Sequence, residues 1–183
     1  PLGTLYATAA VRERGWTVAL FDAMLANSVR EWEVALDRHR PRIAVLFEDS
    51  FNYLSKMCLS RMREAARQMI AAARRRHISV VVAGSDASDH PESYLDAGAR
   101  VIITGEGEIT LTELVDSLCG RSTTPVSEIE GLVFRDAAGA LRKTAPRPFV
   151  RDLDVLPRPA WDLVDVERYR EVWRRRHGYF SMN

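Results

Sequence analysis

Residues 78–88 read Ile-Ser-Val-Val-Val-Ala-Gly-Ser-Asp-Ala-Ser, an apolar run of strand length that stops at a glycine and continues into small polar residues. Two similar runs, Ile43–Phe47 and Val101–Ile103, lie on either side of it in the chain, and each also leads into a polar loop. Near-continuous valine, isoleucine and leucine are typical of strands that are covered on both faces, as in parallel sheets. The three runs therefore predict the centre of a parallel sheet.

The segments between these runs have the spacing of amphipathic helices, as where Val29, Trp32 and Leu36 share one helical face. A further apolar run, residues 16–21, predicts another strand. Strands and helices that alternate at these lengths predict an α/β fold with an open, doubly wound parallel sheet of the Rossmann or flavodoxin type. The predicted helices span residues 4–14, 28–39, 55–76 and 93–97, a stretch after 104–108, and 165–176.

A different pattern begins after residue 122. Residues 131–135 and 141–144 are strand-like and flank a glycine-containing loop, which predicts a small β-hairpin. Residues 145–160 contain four prolines, and proline removes backbone donors and disfavours helix at the residue before it. This stretch is therefore predicted to be an extended linker. Because doubly wound sheets normally begin with a central strand, a first strand is expected before Pro1.

The composition of the 183 residues limits the classes of function. With 46% hydrophobic residues and a formal charge of +1, the chain is unlike disordered proteins and unlike proteins that bind nucleic acid through bulk positive charge. No apolar run of about 18 residues predicts a membrane span. The two cysteines, Cys58 and Cys119, are too few for a disulfide framework or a four-cysteine metal site. The expected location is the reducing cytoplasm.

Ligands of open parallel sheets bind beyond the carboxyl ends of the strands. Four segments are expected there: the approach to Gly3, and residues 48–54, 84–90 and 104–108. Small residues in two of them allow close backbone approach, and the N–H groups at helix starts favour phosphate. This pattern indicates a phosphate-bearing ligand. The alternative is that the glycines only form tight turns, while Glu106 and Glu108 only complement a helix dipole.

Several common motifs are absent from the sequence. Neither the dinucleotide-binding G-x-G-x-x-G nor the phosphate-binding loop G-x-x-x-x-G-K-[ST] occurs, which argues against a nucleotide hydrolase. Lys56 and Lys143 are wrongly placed for a phosphate-receiver domain, and no Ser–His–Asp set falls in the loops.

The ordered set of short motifs resembles the cobalamin-binding domain of cobalamin-dependent radical S-adenosylmethionine enzymes. The resemblance covers nearly the whole chain. Its parts, in chain order, are Pro1-Leu-Gly3-Thr-Leu5, Arg12-Glu-Arg-Gly15, Phe21-Asp-Ala23, Ala83-Gly-Ser-Asp-Ala-Ser88 with Pro91-Glu92, Thr104-Gly-Glu-Gly-Glu108, Gly131-Leu132, Arg151-Asp-Leu-Asp154 and Leu156-Pro-Arg-Pro-Ala-Trp-Asp162.

The resemblance implies a cobalamin-binding module, residues 1–122, followed by the hairpin and linker, 123–160, and the start of a radical domain, 161–183. In the full-length protein, the cofactors would also include a [4Fe-4S] cluster and S-adenosylmethionine, and the reaction would be methyl transfer or cyclisation. This chain would not be catalytic alone, and its partners would be cobalamin and the downstream radical domain. The implied cobalamin-binding residues are Leu2, Gly3, Glu48, Asp49, Ser50, Phe51, Asn52, Gly84, Ser85, Asp86, Ala87, Ser88, Gly105, Glu106, Gly107 and Glu108.

The resemblance also assigns parts of the cofactor to segments. Residues 48–54 would lie against the corrin face, and residues 84–88 and 104–108 would line the nucleotide tail. Most of the family has no histidine on cobalt, and Asp37-Arg-His39 is rejected as such a ligand because it lies in a predicted helix. No metal ligand is therefore expected in this chain.

The sequence departs from the family at three places. The third-strand loop of the family often begins with serine where Phe47 stands here. The usual Gly-Gly-Pro-His-Ala-Ser is replaced by Ala83-Gly-Ser-Asp-Ala-Ser88, and the cysteine motif C-x-x-x-C-x-x-C is absent and would be expected after Asn183. Two other functions stay open at this point. They are a nucleotide- or sugar-nucleotide-binding α/β domain and a non-catalytic interaction domain.

Overall fold

The computed structural model describes residues 1–48 and 59–179. The fold is α/β, with a β-sheet at its centre. In the described residues the sheet has five strands in the spatial order β1 to β5, with β1 to β3 parallel and β4 and β5 antiparallel. The prediction of a parallel sheet with a following hairpin is therefore confirmed. The strands are β1 (Ile43–Phe47), β2 (Ser79–Ala83), β3 (Val101–Ile103), β4 (Leu132–Arg135) and β5 (Leu141–Lys143).

Helices cover both faces of the sheet, as a doubly wound fold requires. One buried cluster joins Trp32, Ile70 and Tyr94 to Val80 and Ile102 of the strands, and a second lies on the opposite face. The helices are α1 (Leu2–Glu13), α2 (Val29–His39), α3 (Leu59–Arg74), α4 (Ser85–Asp89), α5 (Pro91–Ala97), α6 (Glu108–Leu118) and α7 (Val166–His177). Helices α2, α3 and α5 pack on the first face, and α1 and α6 pack on the second.

The hairpin formed by β4 and β5 continues the main sheet. Strand β4 pairs with β3 over Val101↔Phe134 to Ile103↔Leu132, and β5 then pairs with β4. In the loop between them, the Asp136 carboxylate accepts hydrogen bonds from the backbone N–H groups of Ala138 and Ala140. The sheet therefore extends past residue 122.

The prediction of a strand at residues 16–21 is wrong, because this segment belongs to none of the strands in the described part of the chain. From residue 16 to residue 20 its side chains nevertheless alternate between partly buried and exposed. Trp16 and Val18 pack against the second cluster, and Phe21 packs against the first. Alternating apolar side chains indicate that one side of a segment is buried. A segment can be buried in this way without forming hydrogen bonds to a neighbouring strand.

The segment after Gly84 is a short helix, where the sequence predicted only a loop. The backbone N–H and the hydroxyl of Ser88 both donate to the carbonyl of Gly84, at 3.0 and 2.9 Å, and these bonds close the turn that forms α4.

The last described residues pack back onto the beginning of the chain. The Arg12 guanidinium donates to both carboxylate oxygens of Asp162 at 2.9 Å, and the Tyr169 hydroxyl donates to Asp22. Arg168 adds a bond to the carbonyl of Leu25 at 2.7 Å. None of the helices in residues 1–48 and 59–179 is both long and apolar enough to span a membrane.

We expect truncation of Ile102 to destabilise the chain, because its side chain is fully buried in the first cluster. The Ile102→Ala substitution should lower the free energy of unfolding by about 3 kcal/mol, through lost burial and the cavity left behind. Val34, 60% exposed on α2, is the control. Val34→Ala should change this free energy by less than about 0.5 kcal/mol in urea unfolding. Equal effects of the two substitutions would contradict the packing described above.

Candidate functional site

The carboxyl ends of the three parallel strands lie at one edge of the sheet, where doubly wound proteins hold their ligands. We call residues 1–4, 47–48, 84–88 and 104–108 the rim. The start of α1 belongs to the rim because the Thr4 hydroxyl donates to the carbonyl of Phe47, the last residue of β1, at 3.0 Å. The start of α1 therefore lies against the end of β1, directly before the second predicted ligand segment.

Strand β1 also fixes the segment that follows β2. The backbone N–H of Glu48 donates to the carbonyl of Ala83 at 2.8 Å. The Glu48 side chain then lies on Gly84, where a Cβ atom would come within 2.4 Å of Glu48 Oε2. Gly84 has a φ of 155°, which side chains rarely adopt. Glycine is therefore required here both for space and for conformation.

Phe47 makes the corresponding contact with the loop after β3. Its ring covers Gly107, where a Cβ atom would lie 2.9 Å from Phe47 Cε2. Gly105, with a φ of 74°, is exposed, and a Cβ atom there would meet nothing within 4 Å. Helix α6 begins at Glu108, and its first N–H groups are suited to an anion. The loop thus offers open backbone at Gly105 and helix donors beside it.

Asp86 lies inside a hydrogen-bonded network at the rim. Arg63 on α3 donates to both carboxylate oxygens, at 2.8 and 2.6 Å, and the Tyr94 hydroxyl donates at 2.6 Å. The Asp86 side chain is 5% exposed. The bonds from Arg63 hold the pKa of Asp86 below its usual value, while burial and the neighbouring Asp86 raise the pKa of Tyr94. The carboxylate thus joins α3, α4 and α5.

The structure brings the described candidates together but gives them different surroundings. Leu2 is 44% exposed at the start of α1, whereas the Ala87 side chain is buried in the core. The Glu106 carboxylate accepts the backbone N–H of Val150 at 2.9 Å. Gly3, Ser85, Ser88 and Glu108 are partly buried. Four candidates, Asp49, Ser50, Phe51 and Asn52, lie outside the described residues.

Sequence reasoning did not single out Thr4, Arg63 or Tyr94, whose side chains form hydrogen bonds to rim residues. In the sequence, these three residues are only parts of predicted helices. Their hydrogen-bond partners, Phe47 for Thr4 and Asp86 for the other two, are distant in the chain or on another helix and become visible only in the structure. In the chain segments 1–48 and 59–179, no group of three or more His, Cys, Asp or Glu side chains is arranged to hold a metal ion.

Comparison with known proteins identifies a matching family. The profile of the B12 binding domain family matches residues 1–115. An uncharacterised methyltransferase of Pyrococcus horikoshii is 32% identical over 97 residues, which are 51% of this chain and 20% of that protein.

Solved structures of the cobalamin-dependent S-adenosylmethionine radical enzyme OxsB have the same fold. The form with aqua-cobalamin bound superposes with a TM-score of 0.66 at 20% identity, over 89% of this chain and 22% of that enzyme. The apo form gives a TM-score of 0.68 at 20% identity, over 91% of this chain and 22% of that enzyme. The chain thus spans about a fifth of the length of these relatives.

We expect the Asp86→Asn substitution to lower the free energy of unfolding by about 2 to 3 kcal/mol at pH 7, because it leaves Arg63 without its charge partner. The folded-state pKa of Asp86 lies below the unfolded one, so its contribution is complete above the unfolded pKa. It is lost as the pH falls through the folded pKa. The difference from the wild type should therefore shrink below about pH 4.

The control for this prediction is Asp89→Asn, because Asp89 is exposed at the end of α4. Urea unfolding between pH 3 and pH 7 measures both variants. A difference between wild type and Asp86→Asn that stays constant across this range would contradict the role of the ionised carboxylate.

Proposed function

Because the chain belongs to the B12-binding domain family, we propose that it binds cobalamin at the rim. One observation carries the proposal. The start of α1 and the carboxyl ends of β1, β2 and β3 converge there through Thr4, Phe47 and Glu48. These are the segments at which a doubly wound domain can hold a broad ligand.

The chemistry of the rim fits a corrinoid. Cobalamin has a broad apolar ring, amide side chains and a phosphate-linked nucleotide tail. Gly84 and Gly105 would allow the backbone to approach it, and backbone N–H and carbonyl groups of the rim would pair with its amides. The N–H groups that open α6 would face the phosphate. Ser85 and Ser88 would add hydroxyls along the tail.

The residues of the rim would bind and orient the cofactor. When bound, cobalamin supplies a cobalt centre that can carry a methyl group. The β1 end would place the corrin across the sheet edge, and the Asp86 network would keep α4 and the start of α3 in fixed positions. We further propose that the chain delivers this cofactor to a following radical domain with a [4Fe-4S] cluster and S-adenosylmethionine, for methyl transfer or cyclisation. The sequence similarity to the methyltransferase of Pyrococcus horikoshii and the fold shared with OxsB support this proposal.

We expect the purified chain to bind hydroxocobalamin, which changes the visible spectrum of the corrinoid. At a ligand concentration of 100 times Kd, binding should stabilise the fold by about 2.7 kcal/mol. The melting temperature should then rise by roughly 5 to 10 °C. Adenosine diphosphate and uridine diphosphate glucose should produce no such rise. A folded chain that responds to a nucleotide and not to the corrinoid would refute the proposal.

A matched pair of glycine variants locates the binding site. Gly105 and Gly139 have similar φ values, 74° and 81°, and a Cβ atom would meet nothing within 4 Å at either. Gly105→Val and Gly139→Val should therefore lose similar folding stability. Only Gly105→Val should weaken the binding of hydroxocobalamin, because only residue 105 belongs to the rim. Equal affinities of the two variants would exclude the loop after β3 from the site.

A further inference from the structure

The hairpin is followed by a segment that is bound to the rim and to α6 by hydrogen bonds and an ion pair. We call residues 145–150, Ala-Pro-Arg-Pro-Phe-Val, the strap. At its beginning, the carbonyl of Ala145 accepts the backbone N–H of Gly131 at 2.7 Å. Arg147 then donates to Thr110 Oγ1 at 2.7 Å and forms an ion pair with Glu113. The Arg147 side chain is only 15% exposed, so the strap is anchored to α6.

The other end of the strap is held by the loop after β3. The backbone N–H of Val150 donates to Glu106 Oε2 at 2.9 Å. Glu106 belongs to residues 104–108 of the rim, and Thr110 lies in the first turns of α6. The strap therefore runs beside the part of the rim that would line the nucleotide tail of cobalamin.

Phe149 lies between these two anchors and is 78% exposed. Pro146 and Pro148 restrict the backbone on its amino-terminal side, and the Val150 bond restricts it on the other. A phenylalanine can bury about 150 Å² or more. The backbone at Phe149 is therefore restricted beside the rim, while its side chain belongs to neither buried cluster. Its position suits contact with an apolar group that arrives with the ligand.

We propose that Phe149 contacts the dimethylbenzimidazole base in the tail of bound cobalamin, and that Glu106 is the positioning residue that holds the strap there. This inference rests on the proposed function. The base is favoured over the corrin because β3 lies two strands from β1, about 10 Å along the sheet edge. The corrin face would lie at the β1 end. An aromatic base against an aromatic ring is also a favourable pairing.

The first test compares hydroxocobalamin with diaquacobinamide, a corrinoid that lacks the nucleotide tail. Phe149→Ala should weaken the binding of hydroxocobalamin about tenfold and leave the binding of diaquacobinamide unchanged. The melting temperature of the free variant should stay within about 2 °C of the wild type, because an exposed ring adds little to folding stability. Leu153→Ala is the control, since Leu153 is also exposed, at 67%, but lies beyond the anchors.

The outcomes separate this inference from the proposed function. If the wild type binds neither corrinoid, the proposed function fails and the inference fails with it. If the wild type binds both and Phe149→Ala behaves like the wild type, only the inference fails. A similar loss for both corrinoids would place Phe149 on the corrin and overturn the assignment to the base.

The second test concerns Glu106. Glu106→Ala removes the acceptor of the Val150 N–H and should weaken hydroxocobalamin binding, whereas Glu106→Gln keeps an oxygen acceptor and should restore most of the affinity. The double variant Glu106→Ala, Phe149→Ala should bind no more weakly than Phe149→Ala alone, because both changes remove the same contact. Additive losses would mean that Glu106 acts on the ligand independently of the strap, and would overturn its positioning role.

Discussion

The rim depends on the absence of a Cβ atom at Gly84 and Gly107. The side chains of Glu48 and Phe47, adjacent at the end of β1, lie on these two glycines. One strand end is thereby brought into contact with the loops after both of its parallel neighbours. A Cβ atom at either glycine would meet a side chain at less than 3 Å, and close-packed protein has no room to absorb such an overlap without moving the strand end or the loop. The glycines therefore fix the shape of the edge as well as forming its turns.

This role bears on one of the interpretations that the sequence left open for these loops, namely that the glycines only form tight turns. A glycine whose only role is to form a turn would have a positive φ value, and no other atom would lie close to the position of a Cβ atom. Gly107 has a φ of −97° and is covered by the Phe47 ring, so its requirement comes from packing. Gly105 shows the opposite combination, with a positive φ and open surroundings. The loop after β3 thus combines one glycine that closes the edge and one that leaves the backbone open to a ligand.

The parts of the fold that sequence predicts best are those where one physical requirement acts alone. Strands β1 and β3 match their predicted residues because β3 is buried at all three positions and β1 is at least partly buried at all five, which favours apolar side chains. Residues 16–21 have the same composition for a different reason, namely packing beside the sheet without a ladder. The positions of the candidate glycines could also be predicted. The network of Arg63, Asp86 and Tyr94 could not, because it joins residues on three helices whose packing the sequence does not specify.

The sheet and the proline-rich linker after it are continuous. Strands β4 and β5 extend the sheet, and the next residues return to α6 and to Glu106. The chain then crosses α1, where the N–H of Ala160 donates to the carbonyl of Leu5 at 3.2 Å and Arg12 pairs with Asp162. The path from the hairpin to α7 therefore touches one rim segment, through Glu106, and also α1, the helix whose first residues belong to the rim. The linker and the rim are therefore joined by the hydrogen bond from Val150 to Glu106, and the buried Arg147 side chain holds the same segment on α6.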